Sequence, residues 1–350
     1  MRLGSLKEIM KAAIVEKPGK LVVKELPMPE IGDYQMLCKL LFGATCSGTD
    51  AHLIDNTFTW PQKYPILLGH ESVGKVIETG KRVKNFKIGD LVTRVGTPCP
   101  PGMDFNVFGG GFAEFGVAGD YVAMRKDGLP GEQWQKYMVN LKIPAKIPPE
   151  KAPMIITWRE TNSYFMRMGV AGADSLLIIG SGANAFSFAA MARALKVKKT
   201  VMIGSSGRMK DAAKFGVRDY FDYNSENLPE QLKMARIGGF AYAIDAVGRS
   251  QTANLALSLL KPEGCLGIYG IDDYVNIGLN PSAAKGPFRF FPMSYNENEA
   301  HDRVVKLILN GALEAADFID LKHPYKLAEI GNAFEAVKKR KTIKALVKLS

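Results

Sequence analysis

The alternation of strand-like and helix-like segments after residue 152 is the feature that most constrains the fold. Ser175–Ile179 is a continuous apolar run, typical of a parallel strand covered on both faces. Helical spacing then recurs over residues 186–195, 209–215 and 251–260, with apolar strand patterns at 200–203, 241–244 and 265–269. This alternation predicts a doubly wound α/β domain with a parallel sheet over residues 152–292.

Residues 10–150 have a different pattern, with many short strand-like runs interrupted by glycine and proline. Turn signals at such short intervals predict a β-rich domain, either a barrel or an irregular sheet. The tail has helical patterns at 300–310 and 327–338 and a strand pattern at 344–349, and we expect it to return to the first domain. The predicted domains are therefore 1–151, 152–292 and 293–350, and 350 residues are enough for two domains.

The net charge of +11 raises the possibility of a nucleic-acid partner. The lysines are spread along the chain, and the densest clusters, at 196–199 and 338–341, fall at predicted helix ends. We therefore predict no nucleic-acid partner. The four cysteines, Cys38, Cys46, Cys99 and Cys265, form no CxxC pair, which favours the reducing cytoplasm. No signal-like leader and no run of ~18 apolar residues is present, so we expect no membrane association.

Gly69-His70-Glu71 sets an imidazole and a carboxylate side by side, between a tight turn and a β-branched strand. Such a pair can bind a metal or move a proton, although an adjacent His-Glu on a loop is by itself more often part of an ordinary polar surface than a ligand pair. Cys46 lies about two dozen residues upstream, close to Thr49 and His52. Sulfur, imidazole and carboxylate together are a ligand set that suits zinc.

A dinucleotide fingerprint follows the strand Ser175–Ile179 and opens the next predicted helix. It consists of Gly180, Ser181, Gly182, Ala183, Asn184 and Ala185. Its glycines let the backbone approach a pyrophosphate, and the helix N-terminus stabilises that charge. The alternative is a glycine-rich turn without a ligand. Further candidate cofactor residues end later strands, namely Ala246, Val247, Gly248, Tyr269 and Gly270.

The end of the second strand favours NADP over NAD. An NAD site has a carboxylate there that accepts a hydrogen bond from the ribose 2′-hydroxyl, but the chain has Gly204, Ser205, Ser206 and Arg208. Glycine leaves room for a 2′-phosphate, the serines can donate hydrogen bonds and Arg208 can pair with the phosphate. Tyr223 would cover the adenine, or is simply a core or surface tyrosine.

Taken together, these motifs resemble the medium-chain dehydrogenase/reductase family, in its zinc-type alcohol and polyol dehydrogenase branch, over residues 10–350. The resemblance rests on Gly69-His70-Glu71, the Gly-Thr-Asp-x-His of 48–52, Val83-x-x-Phe86-x-x-Gly89-Asp90, the run 110–115, the Gly180 fingerprint and the run 245–248. It implies a GroES-like catalytic domain, a Rossmann domain, a cleft between them and a homodimer or homotetramer. The implied reaction is hydride transfer between a small-molecule alcohol or carbonyl and a nicotinamide.

The resemblance also implies roles for individual residues. Cys46, His70 and Glu71 would bind one catalytic zinc, Thr49 would pass the proton of the substrate hydroxyl, and His52 would relay it to solvent. Alternatively, Thr49 only caps a helix that starts at Asp50, and His52 is a surface histidine.

The chain departs from the family pattern at the expected ligands. Strict alignment puts Ser47 on the cysteine position, so either the loop bulges to bring Cys46 in or zinc is weak or absent. The same alignment puts Ile156 where the last ligand belongs. The nearby acid, Glu160, has three interpretations: a metal ligand, a catalytic acid/base, or the salt partner of Arg159 or Arg167.

Two further departures concern the loops. Only Cys99 stands where lobed members of the family have four cysteines, so we predict no structural zinc. An insertion at 116–137 is expected to border the substrate cleft. The leading hypothesis is an NADP(H)-dependent alcohol or polyol dehydrogenase with zinc. Its competitors are a zinc-free quinone or enone reductase of the same fold, and a non-enzymatic scaffold that binds NADPH and RNA.

Overall fold

The computed structural model describes residues 9–235 and 239–350. Their contacts divide the chain into two compact units. Unit 1 comprises the described residues up to Thr57, with Pro61–Ile156 and Phe318–Ser350; unit 2 comprises Phe58–Trp60 and Thr157–Asp317. Residues 293–317 thus group with unit 2, whereas the sequence pattern placed the return to the first domain at residue 293.

Strands and helices are numbered in chain order. The strands are β1 Ile9–Lys17, β2 Lys20–Pro27, β3 Gln35–Ala44, β4 Ile66–Leu67, β5 Ser72–Thr79, β6 Leu91–Thr93, β7 Asn106–Val107, β8 Phe115–Gly119, β9 Lys142–Ile143, β10 Ser175–Ile179, β11 Lys199–Gly204, β12 Asp219–Asp222, β13 Phe240–Asp245, β14 Leu260–Ile268, β15 Arg289–Phe291, β16 Tyr325–Lys326 and β17 Leu346–Lys348. The helices are α1 Thr49–Asp55, α2 Tyr121–Lys126, α3 Gly131–Trp134, α4 Met154–Met168, α5 Ala183–Ala194, α6 Met209–Lys214, α7 Leu228–Ala235, α8 Ser250–Ser258, α9 Glu297–Leu309 and α10 Ile330–Lys338.

Unit 2 is built on a six-stranded sheet in the order β12-β11-β10-β13-β14-β15, with every neighbouring pair parallel. The strand order reverses at β10, which pairs with both β11 and β13. Leu177, Ile179, Val201, Ile203 and Leu266 are buried in its core because such strands are covered by helices on both faces. The predicted doubly wound α/β fold is confirmed.

Unit 1 contains a four-stranded sheet, β2-β1-β4-β7, and a larger sheet in the order β16-β17-β3-β5-β6-β9, with β8 also paired to β3. The predicted β-rich GroES-like domain is likewise confirmed. The strand β17 comes from the tail of the chain and runs antiparallel to β3, with Leu346 opposite Ala44. This pairing places the C-terminal segment beside the residues that follow β3.

The insertion at 116–137 forms β8, α2 and α3. Asp120 anchors it: this buried carboxylate accepts a hydrogen bond from Ala123 N at 3.1 Å, at the start of α2, and from the backbone N of Lys84 and Asn85 at 2.8 Å each. A side-chain acceptor at this position satisfies N–H groups that a helix start leaves unpaired. The segment is therefore an ordered part of unit 1.

The longest helix, α4, has 15 residues. Among residues 9–235 and 239–350, no helix is both long enough and apolar enough to cross a lipid bilayer.

Candidate active site

A cluster of three potential metal ligands lies in unit 1. Cys46 follows β3, and His70 and Glu71 directly precede β5. Their ligand atoms all lie within 4.8 Å of one another, and the side chains are buried. Over the described ranges, this is the group of three or more His, Cys, Asp or Glu side chains whose geometry fits a metal ion.

The turn after Cys46 explains how the thiol reaches the cluster despite the extra residue in the motif. The Thr49 N donates a hydrogen bond to Cys46 Sγ at 3.4 Å, and Cys46 N donates to Asp50 Oδ2 at 3.0 Å. The backbone closes the same turn through Asp50 N and Cys46 O at 3.1 Å. Ser47 and Gly48 therefore lie within a compact turn that directs the sulfur of Cys46 to His70 and Glu71.

Asp50 is a functional residue that sequence reasoning missed. Its Oδ1 lies 3.1 Å from Nδ1 of His70, and it is completely buried. A carboxylate on one ring nitrogen of a ligating histidine fixes the orientation and tautomer of the ring, which directs Nε2 to the ligand side. Burial disfavours the imidazolium, but the attraction of Asp50, with a contribution from Cys46, raises the pKa of His70 well above its ordinary value.

Lys344 is a second missed residue. Its Nζ lies 2.8 Å from Oε1 and 2.7 Å from Oε2 of Glu71, and the two side chains are only 1% and 3% exposed. Burial opposes the ammonium charge, yet the attraction of Glu71, followed by that of Cys46, raises the pKa of Lys344 above its ordinary value. Ala345 N donates to Thr45 Oγ1 at 2.9 Å, which fixes the lysine next to Cys46.

The residues present fit a zinc ion. Thiolate, imidazole and carboxylate are zinc ligands, and a catalytic zinc uses three protein ligands and keeps one position open. With Cys46 as the thiolate and His70 as the neutral imidazole that a metal requires, three negative charges, on Cys46, Asp50 and Glu71, face the one positive charge of Lys344. The remaining two negative charges match a divalent cation.

Thr49 and His52 lie one turn apart on the same side of α1. The helix begins at Thr49 itself, and its N-cap is Gly48, which makes no side-chain capping bond. The alternative in which Thr49 caps a helix starting at Asp50 is therefore wrong. His52 Nδ1 lies 2.7 Å from Thr57 Oγ1.

The fingerprint segment of unit 2 has the geometry that close approach of a phosphate requires. Gly180 has a φ of +127°, and a side chain there would meet Ala246 and Val247 at 3.4–3.5 Å. Gly182 is the N-cap of the 12-residue α5, whose first turn contains Ala183, Asn184 and Ala185. Backbone N–H groups at this end of a helix are suited to an anion.

The later strand ends lie at the same carboxyl edge. Ala246 N donates to Ile179 O at 2.8 Å, and Asp245 accepts hydrogen bonds from the backbone N of Val247 and Gly248. Tyr269 N and Gly270 N both donate to Asp245 O, at 2.9 and 3.0 Å. The predicted cofactor residues after β13 and β14 are thus brought together with the Gly180 turn.

The residues predicted to bind the 2′-phosphate of the adenosine ribose lie at the end of β11. Arg208 is buried, and its Nη1 donates to Asp211 Oδ2 at 3.0 Å, while Lys214 Nζ lies 2.8 Å from Oδ1 of the same carboxylate. Gly204 is sterically required, because a Cβ there would collide with the hydroxyl of Tyr220.

The other residues of this segment differ in exposure. Ser205 is buried and Ser206 is exposed. Tyr223, after β12, is 51% exposed, which leaves its ring accessible.

Glu160 lies on α4 in unit 2, where its Oε2 accepts a hydrogen bond from Tyr269 OH at 3.2 Å. The two neighbouring arginines form ion pairs with α9. Arg159 pairs with Glu297 at 2.6 Å and Arg167 with Glu299 at 2.6 Å.

The parallel sheet with its glycine fingerprint, joined to a β-rich unit that carries buried Cys, His and Glu ligands, defines an oxidoreductase of the alcohol dehydrogenase class. Residues 32–130 match the family model described as "Alcohol dehydrogenase GroES-like domain", and residues 182–294 match "Zinc-binding dehydrogenase". The chain belongs to the zinc-type alcohol and polyol dehydrogenase branch of the medium-chain dehydrogenase/reductase family, whose members act on CH–OH groups.

Relatives include an NADP-dependent isopropanol dehydrogenase of Clostridium beijerinckii, 30% identical over 69% of this chain and 70% of the relative. D-arabinitol dehydrogenase 1 of Uromyces fabae is 23% identical over 99% of both chains. Among solved structures, benzyl alcohol dehydrogenase from Acinetobacter calcoaceticus superposes with a TM-score of 0.82 at 16% identity, covering 99% of this chain and 100% of that one. A putative zinc-binding dehydrogenase from Sinorhizobium meliloti 1021, bound to NADP, has a TM-score of 0.77 at 20% identity, covering 98% and 100%. At these identities the two structures show the shared fold.

Proposed function

We propose that this protein is an NADP(H)-dependent dehydrogenase that interconverts a secondary alcohol, polyol or sugar-like alcohol and its carbonyl, with zinc held by Cys46, His70 and Glu71. The observation that carries the proposal is the convergence of these three buried ligand atoms within 4.8 Å. Zinc at this site would act as a Lewis acid toward the oxygen of the substrate.

The residues of the chain would orient the ligating histidine and move the proton of the substrate alcohol. Asp50 holds the ring of His70 through Nδ1, so that Nε2 is available as a ligand. The Thr49 hydroxyl is proposed to accept the proton of the substrate alcohol, and His52, one turn later on α1, to pass it on through its ring nitrogens. The backbone N of Thr49 at the Cys46 sulfur stabilises negative charge on the thiolate.

The preference for NADP rests on the charges after β11. The carboxylate of Asp211 is flanked by Arg208 and Lys214, which leaves one positive charge in excess beside Ser205 and Ser206. Asp211 also holds the guanidinium of Arg208 in one orientation, which lowers the entropy cost of pairing with a 2′-phosphate.

The substrate class is supported by the relatives rather than by any pocket geometry. The isopropanol named for the Clostridium relative is a secondary alcohol, and the D-arabinitol named for the Uromyces relative is a polyol. Further relatives, such as that of Chelativorans sp. (26% identical over 75% of this chain and 77% of the relative), are L-threonine 3-dehydrogenases, and the 3-hydroxyl of L-threonine is also a secondary alcohol. A panel of secondary alcohols, polyols, sugars and the matching ketones, assayed with NADP(H) and NAD(H), tests the proposal. We expect turnover of some member with NADP(H) and about one zinc per chain by elemental analysis; no turnover of any pair with either cofactor would contradict the proposed activity.

One observation favours the zinc-free quinone or enone reductase as a second candidate. Both oxygens of Glu71 already have a cation, the Lys344 ammonium, within 2.8 Å. Enone reduction with NADPH that survives exhaustive chelation, in protein containing far less than one zinc per chain, would favour this candidate over the alcohol dehydrogenase.

A further inference from the structure

Helix α4 carries Glu160 to the carboxyl edge of the parallel sheet. A side chain at Gly169, after the end of α4, would lie 3.5 Å from the hydroxyl of Tyr242, near the start of β13. One to two turns earlier, Tyr164 lies against Gly267, close to the end of β14. Glu160, a further turn earlier, contacts Tyr269, just beyond that strand. The helix therefore runs antiparallel to the strands, and its N-terminal half lies where ligands of such sheets bind.

The strand order assigns this end of the sheet to the nicotinamide half of the cofactor. In a doubly wound sheet the dinucleotide spans the point where the strand order reverses, with its pyrophosphate at the first glycine turn. Here the reversal is at β10, and the adenosine half belongs to the side of β11, where Arg208 lies. The other half therefore extends over β13 and β14, toward Tyr269 and its partner Glu160.

The contact with Tyr269 makes the carboxylate of Glu160 a fixed charge. Tyr269 is 5% exposed, and its ring packs against those of Tyr164 and Phe188 at centroid distances of 5.1 and 5.0 Å. A rigid donor at 3.2 Å restrains the Glu160 side chain, so its charge is oriented before a ligand arrives.

A fixed negative charge at the nicotinamide end distinguishes the two redox states of the cofactor. The nicotinamide ring is a cation when oxidised and neutral when reduced, so a nearby carboxylate attracts only the oxidised ring. We propose that Glu160, positioned by Tyr269, makes this protein bind the oxidised nicotinamide nucleotide more tightly, relative to the reduced one, than it otherwise would. The inference rests on the proposed nicotinamide-dependent function.

The predicted consequence for the reaction follows from linkage. Tighter binding of the oxidised cofactor makes the bound reduced cofactor a stronger hydride donor, because the product of hydride loss is stabilised. The equilibrium on the protein would therefore shift toward the alcohol.

The test is direct titration of the full chain with NADP⁺ and with NADPH, by calorimetry, for the natural protein, Glu160→Gln and Tyr269→Phe. The exposed Glu335→Gln, which removes an equal charge from α10 in unit 1, serves as the control. We expect Glu160→Gln to reduce the preference for NADP⁺, measured as the ratio of the two dissociation constants, by about tenfold, mainly by weakening NADP⁺ binding. Tyr269→Phe should give a smaller change in the same direction, and Glu335→Gln none.

Equal weakening of both nucleotides in Glu160→Gln, or an unchanged ratio, would overturn the inference, as would loss of bound zinc from that variant, because Glu160 would then be a metal ligand. If the natural protein binds neither NADP(H) nor NAD(H), the proposed function itself fails. That result is distinct from a changed or unchanged ratio.

Discussion

Replacement of Lys344 by methionine is expected to lower the free energy of unfolding by about 3–5 kcal/mol. The ammonium lies 2.7 and 2.8 Å from the two oxygens of Glu71, and both side chains are almost completely buried. Methionine has a similar length but no charge, so the variant leaves the Glu71 carboxylate in a low-dielectric interior without its counter-ion. That loss is a large fraction of a typical folding free energy of about 5–15 kcal/mol.

Urea-induced unfolding of chelator-treated protein measures the effect, because chelation removes any contribution of bound metal to stability. The double variant Lys344→Met/Glu71→Gln should be more stable than Lys344→Met alone, since the uncompensated carboxylate is then absent. The matched control is Lys198→Met. Its pair with Asp174 has the same 2.7 Å distance, but the side chains are 73% and 68% exposed, and we expect no change in stability outside the error of the measurement.

The pH dependence gives a second measurement. The pKa of Lys344 in the folded chain lies above its ordinary value of 10.5, so the pair contributes fully below that pH and its contribution is lost as the pH rises through the folded value. The titration of Lys344 should therefore leave the difference in free energy of unfolding between the natural protein and Lys344→Met constant from pH 7 to 9. The difference should shrink under more alkaline conditions, where Lys344 loses its proton. Equal, small losses of stability in Lys344→Met and Lys198→Met would refute the reasoning.

Three further perturbations test other parts of the site. Cys46→Ser should abolish stoichiometric zinc in elemental analysis, whereas Ser47→Ala should retain it; the reverse would mean that strict alignment gives the right ligand. Arg208→Asp should lower the ratio of kcat/KM for NADP to that for NAD by about 10- to 100-fold, and an unchanged ratio would remove the 2′-phosphate role. Gly204→Ala should destabilise the protein by about 1–3 kcal/mol in thermal or urea unfolding, because a Cβ there would collide with the Tyr220 hydroxyl and lie 2.7 Å from Cβ of Ser181, and an unchanged stability would contradict the steric explanation.

The fold was predictable because its signals are local. The apolar run of β10, the glycine turn after it and the helical spacing beyond are read within a few dozen residues, and the predicted strands and helices differ from the observed ones mainly at their ends, whereas α2, α3, α7 and β15 were not predicted. Helix α5, for example, begins at Ala183 rather than at residue 186, because the fingerprint residues themselves form its first turn. The point at which the tail leaves unit 2 has no such local signal.

The site was predictable only in part. His70, Glu71 and Cys46 stand in recognisable motifs, and the compact turn at Ser47 and Gly48 absorbs the extra residue that strict alignment could not place. The ion pair of Lys344 with Glu71 could not be predicted, because Lys344 has the sequence surroundings of an ordinary solvated lysine. Only the pairing of β17 with β3 brings it to Glu71. Asp50 was visible in its motif, but its contact with His70 depends on the turn geometry.

The pairing of β17 with β3 has a consequence for biosynthesis. A chain leaves the ribosome from its N-terminus, and domains generally fold as they emerge. Unit 2, which ends at Asp317, can be complete while β3 is paired with β5 and β8 but still lacks β17, and while Glu71 still lacks its lysine. The surroundings of Cys46, His70 and Glu71 therefore stay incomplete until Lys344 and β17 have been synthesised, so we expect this site to be completed only after unit 2 has been made.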